Sequence, residues 1–136
     1  MDLDEARDYV RANHHAVLAT MRRDGTPQMS PVACAVDAAG NVVISSRETA
    51  VKTKNARRDP RAWVCVFPDT FFGGFVQVEG DVTVVSLPEA MDELVEYYRA
   101  VGGEHPDWDD YRAAMEREKR VIIKLSLTRA GPDVAG

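Results

Sequence analysis

The sequence has few cysteines and lacks a long apolar run. Cys34 and Cys65 are its two cysteines in 136 residues, and they lack C-x-x-C spacing, which argues against both a disulfide framework and a zinc site. The longest apolar run is far shorter than the roughly 20 residues of a membrane-spanning helix. The N-terminal segment MDLDEARDYV is acidic and does not resemble a signal peptide. We therefore expect a cytoplasmic protein with no membrane partner.

An excess of positive charge is also missing. The net charge is −5 and the sequence pI is about 5.2, which argues against a protein whose main task is to bind nucleic acid. A local group of cations can still bind a single phosphate. We therefore expect no nucleic-acid partner.

The usual motifs of catalysis do not occur either. The sequence contains no G-x-S-x-G nucleophile motif and neither of the common glycine-rich nucleotide loops. His14, His15 and His105 are not spaced as metal ligands. The residues alone therefore predict no catalytic side chain and no metal site.

The remaining pattern is that of one small domain, residues 1–136, which is rich in strands. Short alternating or apolar segments separated by turn residues predict six strands, and a few amphipathic segments predict helices. Because strands and helices do not alternate regularly, we expect a mainly β (α+β) fold, a small antiparallel barrel with short helices. The predicted strands are 15–20, 27–36, 42–46, 62–67, 75–86 and 121–127, and the predicted helices are 2–13, 49–59, 87–101 and 107–118.

Four features refine this prediction. Pro27 and Pro31 cannot donate to a strand ladder, so their strand is expected at an edge or with a bulge. The pair Gly80–Asp81 interrupts a long strand and predicts a bulge or bend. The segment 62–67 is apolar on both faces and is expected to be central. The final residues, AGPDVAG, are expected to fray.

The segment from Ser45 to Asn55 is the most informative for function. It runs from a strand into the start of a helix and combines hydroxyl groups with Arg47, Lys52 and Lys54. Cations beside the N–H groups of a helix start can bind a phosphate. A solvated basic helix face explains the same composition equally well, so the residues alone leave both interpretations open.

Four longer segments, in order along the chain, resemble one known family. They are VLATMRRDGTPQMSPV, KTKNARRDPRA, VEGDVTVV and GEHPDWDDYRAAMEREKRVIIKL. Together they are similar to the flavin-binding split β-barrel superfamily of proteins like pyridoxamine-phosphate oxidase. The second and fourth segments most resemble small actinobacterial oxidoreductases that use the deazaflavin coenzyme F420. The resemblance implies a six-stranded split barrel.

The resemblance also implies a homodimer with two equivalent cofactor sites between the subunits. Strands around 31–36 and 62–67 are expected in the interface. The resemblance places beside the deazaflavin ring the residues Pro27, Gln28, Met29, Ser30, Pro31 and Val32, and beside the cofactor chain Ser45 and Ser46. It places around the phosphate Val51 and Lys52, with Lys52 as the main cation. The segment implied to reach across from the partner subunit is Gly73, Gly74, Phe75 and Val76.

The sequence departs from the family pattern at two positions. Ala50 stands where some relatives have an arginine, so one phosphate contact is expected to be missing or to be supplied by Arg47 or Lys54. Some relatives have a tryptophan near Gly73, so Phe71 or Phe72 is expected to cover the ring, or the ring is left more open.

The implied activity is hydride transfer from reduced coenzyme F420 to an unsaturated or conjugated small molecule. Such a cofactor brings its own reactive atom, so a missing nucleophile does not argue against an enzyme. Two alternatives remain open. One is an FMN-dependent enzyme of the pyridoxamine-phosphate-oxidase type, and the other is a carrier of a flavin, a deazaflavin or a haem-type molecule.

Overall fold

The computed structural model describes residues 1–132 and contains seven strands and four helices. Within these residues, no helix is long and apolar enough to span a membrane. The strands are β1 (His15–Met21), β2 (Pro27–Ala33), β3 (Ala35–Val36), β4 (Val42–Arg47), β5 (Arg61–Phe67), β6 (Val76–Val85) and β7 (Arg120–Gly131). The helices are α1 (Leu3–Ala12), α2 (Val51–Arg58), α3 (Met91–Gly102) and α4 (Trp108–Glu118).

The strands form one antiparallel sheet in the order β2-β1-β5-β6-β7-β4-β3. The first and last strands of this order are separated along the chain by Cys34 alone, so the sheet curls until its two edges meet. The N–H of Cys34 donates to the carbonyl of His14 at 2.8 Å. The predicted mainly β, split-barrel fold is confirmed.

The predicted strand 27–36 is divided in two. Its first part pairs with β1 and its second part pairs with β4, because the chain crosses from one sheet edge to the other at Cys34. The expected edge position is confirmed, since Pro27 and Pro31 lie in β2, which pairs on one side only. The segment 62–67 is central, between β1 and β6.

Two other boundaries differ from the sequence prediction. The third helix begins at Met91, and residues 87–90 form turns instead of the expected first helical turn. The last strand continues to Gly131 and pairs with β6, so Ala130 and Gly131 are not frayed. Residues 133–136 of the predicted frayed end lie outside the described residues.

The interior of the curled sheet is the main core, and helix α1 packs at one of its ends. Alternate residues of each strand point inward, as the two-residue period of a strand requires. Its largest fully buried side chains are Val10, Leu18, Val42, Ile44, Val64, Val66, Val78, Val121, Ile123 and Leu125.

A second core lies outside the sheet, where α3 and α4 cover β3, β4 and β7. Val43 and Ile122 of the sheet pack against Leu94, Tyr111 and Met115 of the two helices. The hydroxyl of Tyr111 donates to the carbonyl of Leu94 at 2.8 Å and ties the helices together. This layer holds the start of β7 in place beside the end of β4.

Gly80 forms the predicted irregularity in β6, where the pairing with β7 shifts between Glu79 and Gly80. A Cβ atom at Gly80 would lie 1.8 Å from the carbonyl oxygen of Ser126. Only glycine fits this close approach of two backbones, and the expected bulge at Gly80–Asp81 is confirmed.

Candidate cofactor-binding site

Buried hydrogen bonds fix helix α2 beside the ends of β4 and β1. The hydroxyl of Thr53 contacts the hydroxyl of Ser46 at 2.8 Å and the carbonyl of Arg47 at 2.6 Å. The amide of Asn55 donates to the hydroxyl of Thr20 at 3.2 Å. Ala50 provides no side-chain cap for the helix, and the first N–H groups of a helix lack partners within the helix. The N-terminus of α2 is therefore held rigidly and remains a donor.

Lys52 lies half-buried in the first turn of this helix. Burial, and secondarily the nearby guanidinium of Arg120, lower the pKa of its ammonium. Within the described part of the chain, no carboxylate forms an ion pair with Lys52. A partly desolvated cation without a counter-charge favours a bound anion.

Arg120 and Arg47 extend this positive region. The two residues face each other across the β4–β7 pairing, and both donate to the carboxylate of Glu118. With Lys52, the group carries three positive charges and one negative charge. We call these four residues, Arg47, Lys52, Glu118 and Arg120, the cation cluster. The sequence analysis did not find Arg120 or Glu118, because they lie about 70 positions away from Arg47.

Gln28 and Ser30 are two of the predicted ring-binding residues, and they lie on the inner face of β2. The side-chain atoms Gln28 Oε1 and Ser30 Oγ are buried and have no hydrogen-bond partner. Buried polar atoms are normally satisfied, so an unsatisfied pair on one face points to a missing partner. Pro27, Met29 and Pro31 alternate with them and are exposed on the opposite face.

Ser45 and Ser46 take different positions at the end of β4. Ser46 is 1% exposed and its hydroxyl is bonded to Thr53, so its side chain does not reach the surface. Ser45 is half-buried. The hydroxyl of Tyr97 donates to the carbonyl of Ala33 at 2.9 Å, so Tyr97 ties α3 to the end of β2.

The remaining predicted residues of these segments lie at the margins. Val51 is 57% exposed in the first turn of α2. Val32 is half-buried and packs against the main core. Lys54 is exposed, whereas Arg47 belongs to the cation cluster. Of the two cations expected to replace an arginine at Ala50, Arg47 therefore has the better position.

The loop that contains Gly73, Gly74 and Phe75 is at the other end of the sheet. Val76 pairs with Val66 at the end of β5 that lies beside His15, whereas α2 packs beside Thr20 and Met21. These ends of β1 are about 20 Å apart at the usual rise per residue. Within one chain, the structure does not bring the loop and Lys52 together.

Clefts occur on the described surface both at the cation cluster and away from it. One of about 500 Å³ includes Arg120. One of about 610 Å³ lies between α3 and the β3–β4 turn, and its Lys124 is paired with Glu93 and Asp37. Another of about 400 Å³ includes Phe75. Helix α2 packs beside β2, and we call the surface between them, with Gln28, Ser30 and Lys52, the groove.

The donors in this groove fit a phosphate-bearing ring cofactor. The cation cluster and the N-terminus of α2 can hold a phosphate. The unpartnered oxygens of Gln28 and Ser30 can accept from a polar ring edge or, through the serine hydroxyl, donate to it. The same arrangement carries no acid–base pair of its own.

The comparison with protein families shows to which family the chain belongs. The family model of pyridoxamine 5'-phosphate oxidase matches residues 3–131, which is nearly the whole chain. The chain belongs to this family. Members of the pyridoxamine 5'-phosphate oxidase family include oxidoreductases, in agreement with the fold and with the resemblance noted in the sequence.

Solved structures share the fold of this pyridoxamine 5'-phosphate oxidase family member at low sequence identity. The conserved hypothetical protein Rv2991 from Mycobacterium tuberculosis is 23% identical with a TM-score of 0.77, over 100% of this chain and 93% of that one. An F420 reductase is 21% identical with a TM-score of 0.71, over 92% and 94%. The heme storage protein HutZ from Vibrio cholerae is 13% identical with a TM-score of 0.71, over 96% and 94%.

Proposed function

We propose that this protein is an oxidoreductase that uses coenzyme F420 and reduces an unsaturated or conjugated small molecule. The observation that carries the proposal is the half-buried ammonium of Lys52 in the first turn of α2, which forms no ion pair with a carboxylate among the described residues and is near the guanidinium of Arg120. Lys52 is also the cation that the resemblance assigns to the cofactor phosphate. The fold shared with an F420 reductase supports the same proposal.

Each part of the groove has a distinct task in this proposal. Lys52, Arg120 and the first N–H groups of α2 would hold the phosphate. Gln28 and Ser30 would contact the polar edge of the ring, and the apolar Val32 would lie beside its face. The bound coenzyme supplies a hydride in its reduced form. The protein orients the ring and excludes water, so it needs no nucleophile.

A homodimer would complete this site. The outer face of β2, β1 and β5 carries Met29, Val17, Ala19, Trp63 and Cys65 in neighbouring rows. Met29 is 64% exposed, and an apolar face of this extent is typical of an interface.

A two-fold axis near the middle of this face would place the loop of one subunit over the groove of its partner. Phe71 and Phe72 are 64% and 83% exposed, and the ring of Phe71 stacks edge to face with both Phe67 and Phe72. In the dimer they would form the apolar cover that an open groove lacks in one chain.

A second candidate function is storage or transport of a cofactor. The shared fold includes the heme storage protein HutZ, and the groove contains no acid–base pair that would require turnover. FMN in place of F420 is the corresponding alternative for the cofactor, because it also carries a ring and a phosphate.

Titration of the purified protein with coenzyme F420 and with FMN tests the proposal directly. We expect F420 to bind at least tenfold more tightly, about 1.4 kcal/mol, because its longer acidic tail reaches more cations. Fluorescence quenching measures both affinities. Equal or tighter binding of FMN would favour the FMN-dependent alternative. Failure of a panel of conjugated acceptors to oxidise bound reduced F420 would favour a carrier.

A further inference from the structure

Glu118 contacts both arginines of the cation cluster through a single oxygen. Its Oε1 accepts from Arg120 Nε at 3.0 Å and from Arg120 Nη2 at 2.8 Å. The same oxygen accepts from Arg47 Nη2 at 3.3 Å. The carboxylate therefore lies inside the positive region and orients the guanidinium of Arg120.

This position has an electrostatic consequence for a bound anion. An anion held by Lys52 and Arg120 is close to the carboxylate that Arg120 also contacts. The repulsion from Glu118 grows in proportion to the charge of the anion. The attraction of the cations grows in the same proportion, but the carboxylate reduces the net charge of the cluster from three to two.

We propose that Glu118 is a specificity-determining residue that weakens binding of a dianionic phosphomonoester more than binding of a monoanionic phosphodiester. The inference rests on the proposed cofactor site and names the anion class that Glu118 disfavours. FMN carries a phosphomonoester, whereas coenzyme F420 carries a phosphodiester. Glu118 would thus help the protein to reject FMN.

A matched set of flavins isolates the phosphate charge from every other contact. FMN is mostly a dianion at pH 8, because the second pKa of a phosphomonoester is about 6. Its phosphate monomethyl ester has the same ring and chain but carries one negative charge. Riboflavin carries none. Flavin fluorescence quenching reports the dissociation constant of each without any need for turnover.

We expect Glu118→Gln to tighten binding of the methyl ester about threefold and of FMN about tenfold, because twice the charge doubles the electrostatic free energy. Riboflavin binding should change less than twofold, which also verifies that the groove is intact. Glu118→Asp keeps the charge and should retain most of the wild-type ratio between the affinities for FMN and for the methyl ester.

Glu116→Gln is the control, since it removes an equal charge from an exposed position of the same helix. It should alter the FMN-to-ester ratio less than twofold, because exposed charges are screened. An equal change for both esters in Glu118→Gln would overturn the inference and leave the F420 proposal standing. If the phosphate adds nothing to the affinity in either protein, the anion site itself is wrong.

Discussion

Burial lowers the pKa of the Lys52 ammonium, and the positive charge of Arg120 lowers it further. A half-buried cation near a second cation is unfavourable without a counter-charge. Thr53 and Asn55 hold α2 in place through buried hydrogen bonds, so the helix cannot simply turn Lys52 into solvent. The buried hydrogen bonds of α2 keep Lys52 in this position, and a bound anion would offset its unfavourable positive charge.

Replacement of Lys52 by alanine should weaken cofactor binding specifically. The lost contact is a charge-assisted hydrogen bond, worth about 1.5–3 kcal/mol, so the affinity for coenzyme F420 should fall roughly ten- to a hundredfold. The midpoint of urea unfolding should not fall, since no contact within the described chain depends on the ammonium. Fluorescence titration and urea denaturation measure the two effects.

Lys54→Ala is the matched control for this change. Lys54 is exposed in the same helix. Because it follows Lys52 by two positions, its side chain points in a different direction from that of Lys52. Arg57, in the same helix, is a poorer control, because its guanidinium forms an ion pair with Glu48 and a hydrogen bond with Ser86. Equal cofactor affinities of the Lys52 and Lys54 variants would assign Lys52 to a solvated helix face.

The fold could be predicted from local patterns, whereas half of the cation cluster could not. Pro27, Pro31 and Gly80 each carry a backbone restriction or freedom that can be read from one residue, and the structure confirms their expected places. Arg120 and Glu118 look like an ordinary charged helix end in the sequence. They meet Arg47 only because β7 pairs with β4, a long-range contact without a local signal.

The division of the strand 27–36 was missed for a similar reason. Residues 32–36 on both sides of Cys34 are apolar, so their pattern is continuous across Cys34. The break arises because the sheet closes there and the chain must leave β1 for β4. Closure is a property of the whole sheet, and the residues around Cys34 give no sign of it.

A charge placed on the outer sheet face should dissociate the proposed dimer. Ala19 lies between Met29 and Trp63 in the sheet register, so Ala19→Glu would bury an unpaired carboxylate in the interface. We expect a dimer for the wild type and a monomer for the variant at micromolar concentration by light scattering. Cofactor affinity should fall with dissociation.

Thr83→Glu adds the same charge to an exposed position of β6 and should leave the dimer intact. A monomeric wild type that still binds the cofactor would show that one chain forms the complete site. In that case Phe71 and Phe72 would have no role in covering the ring.

Gly80→Ala should be strongly destabilising. The new Cβ would lie 1.8 Å from the carbonyl oxygen and 2.8 Å from the carbonyl carbon of Ser126, so β6 and β7 would have to separate locally. We expect a loss of about 3 kcal/mol or more in the free energy of unfolding. Gly74→Ala meets no atom within 4 Å and should change the stability by less than about 0.5 kcal/mol. A comparable midpoint of urea unfolding for both variants would contradict the bulge at Gly80.

The pH dependence of cofactor binding should identify Lys52 as the titrating group. Its ammonium has a pKa below the ordinary 10.5, and only the charged form attracts a phosphate. Binding should therefore weaken as the pH rises through this lowered pKa. The stability of the protein without ligand changes in the opposite direction. Between the lowered pKa of folded Lys52 and its ordinary value, the unfolded chain binds more protons than the folded one. The free energy of unfolding therefore rises with pH in this range, as the buried charge is lost.

Lys52→Arg separates this titration from that of the cofactor itself. Arginine stays charged throughout the accessible pH range, whereas the ring of the cofactor titrates identically in both proteins. The ratio of the two dissociation constants, variant over wild type, should be constant near pH 7 and should fall in alkaline solution as the wild type alone loses its charge. A ratio that stays constant from pH 7 to about pH 10.5 would show that the Lys52 ammonium does not contact the bound anion.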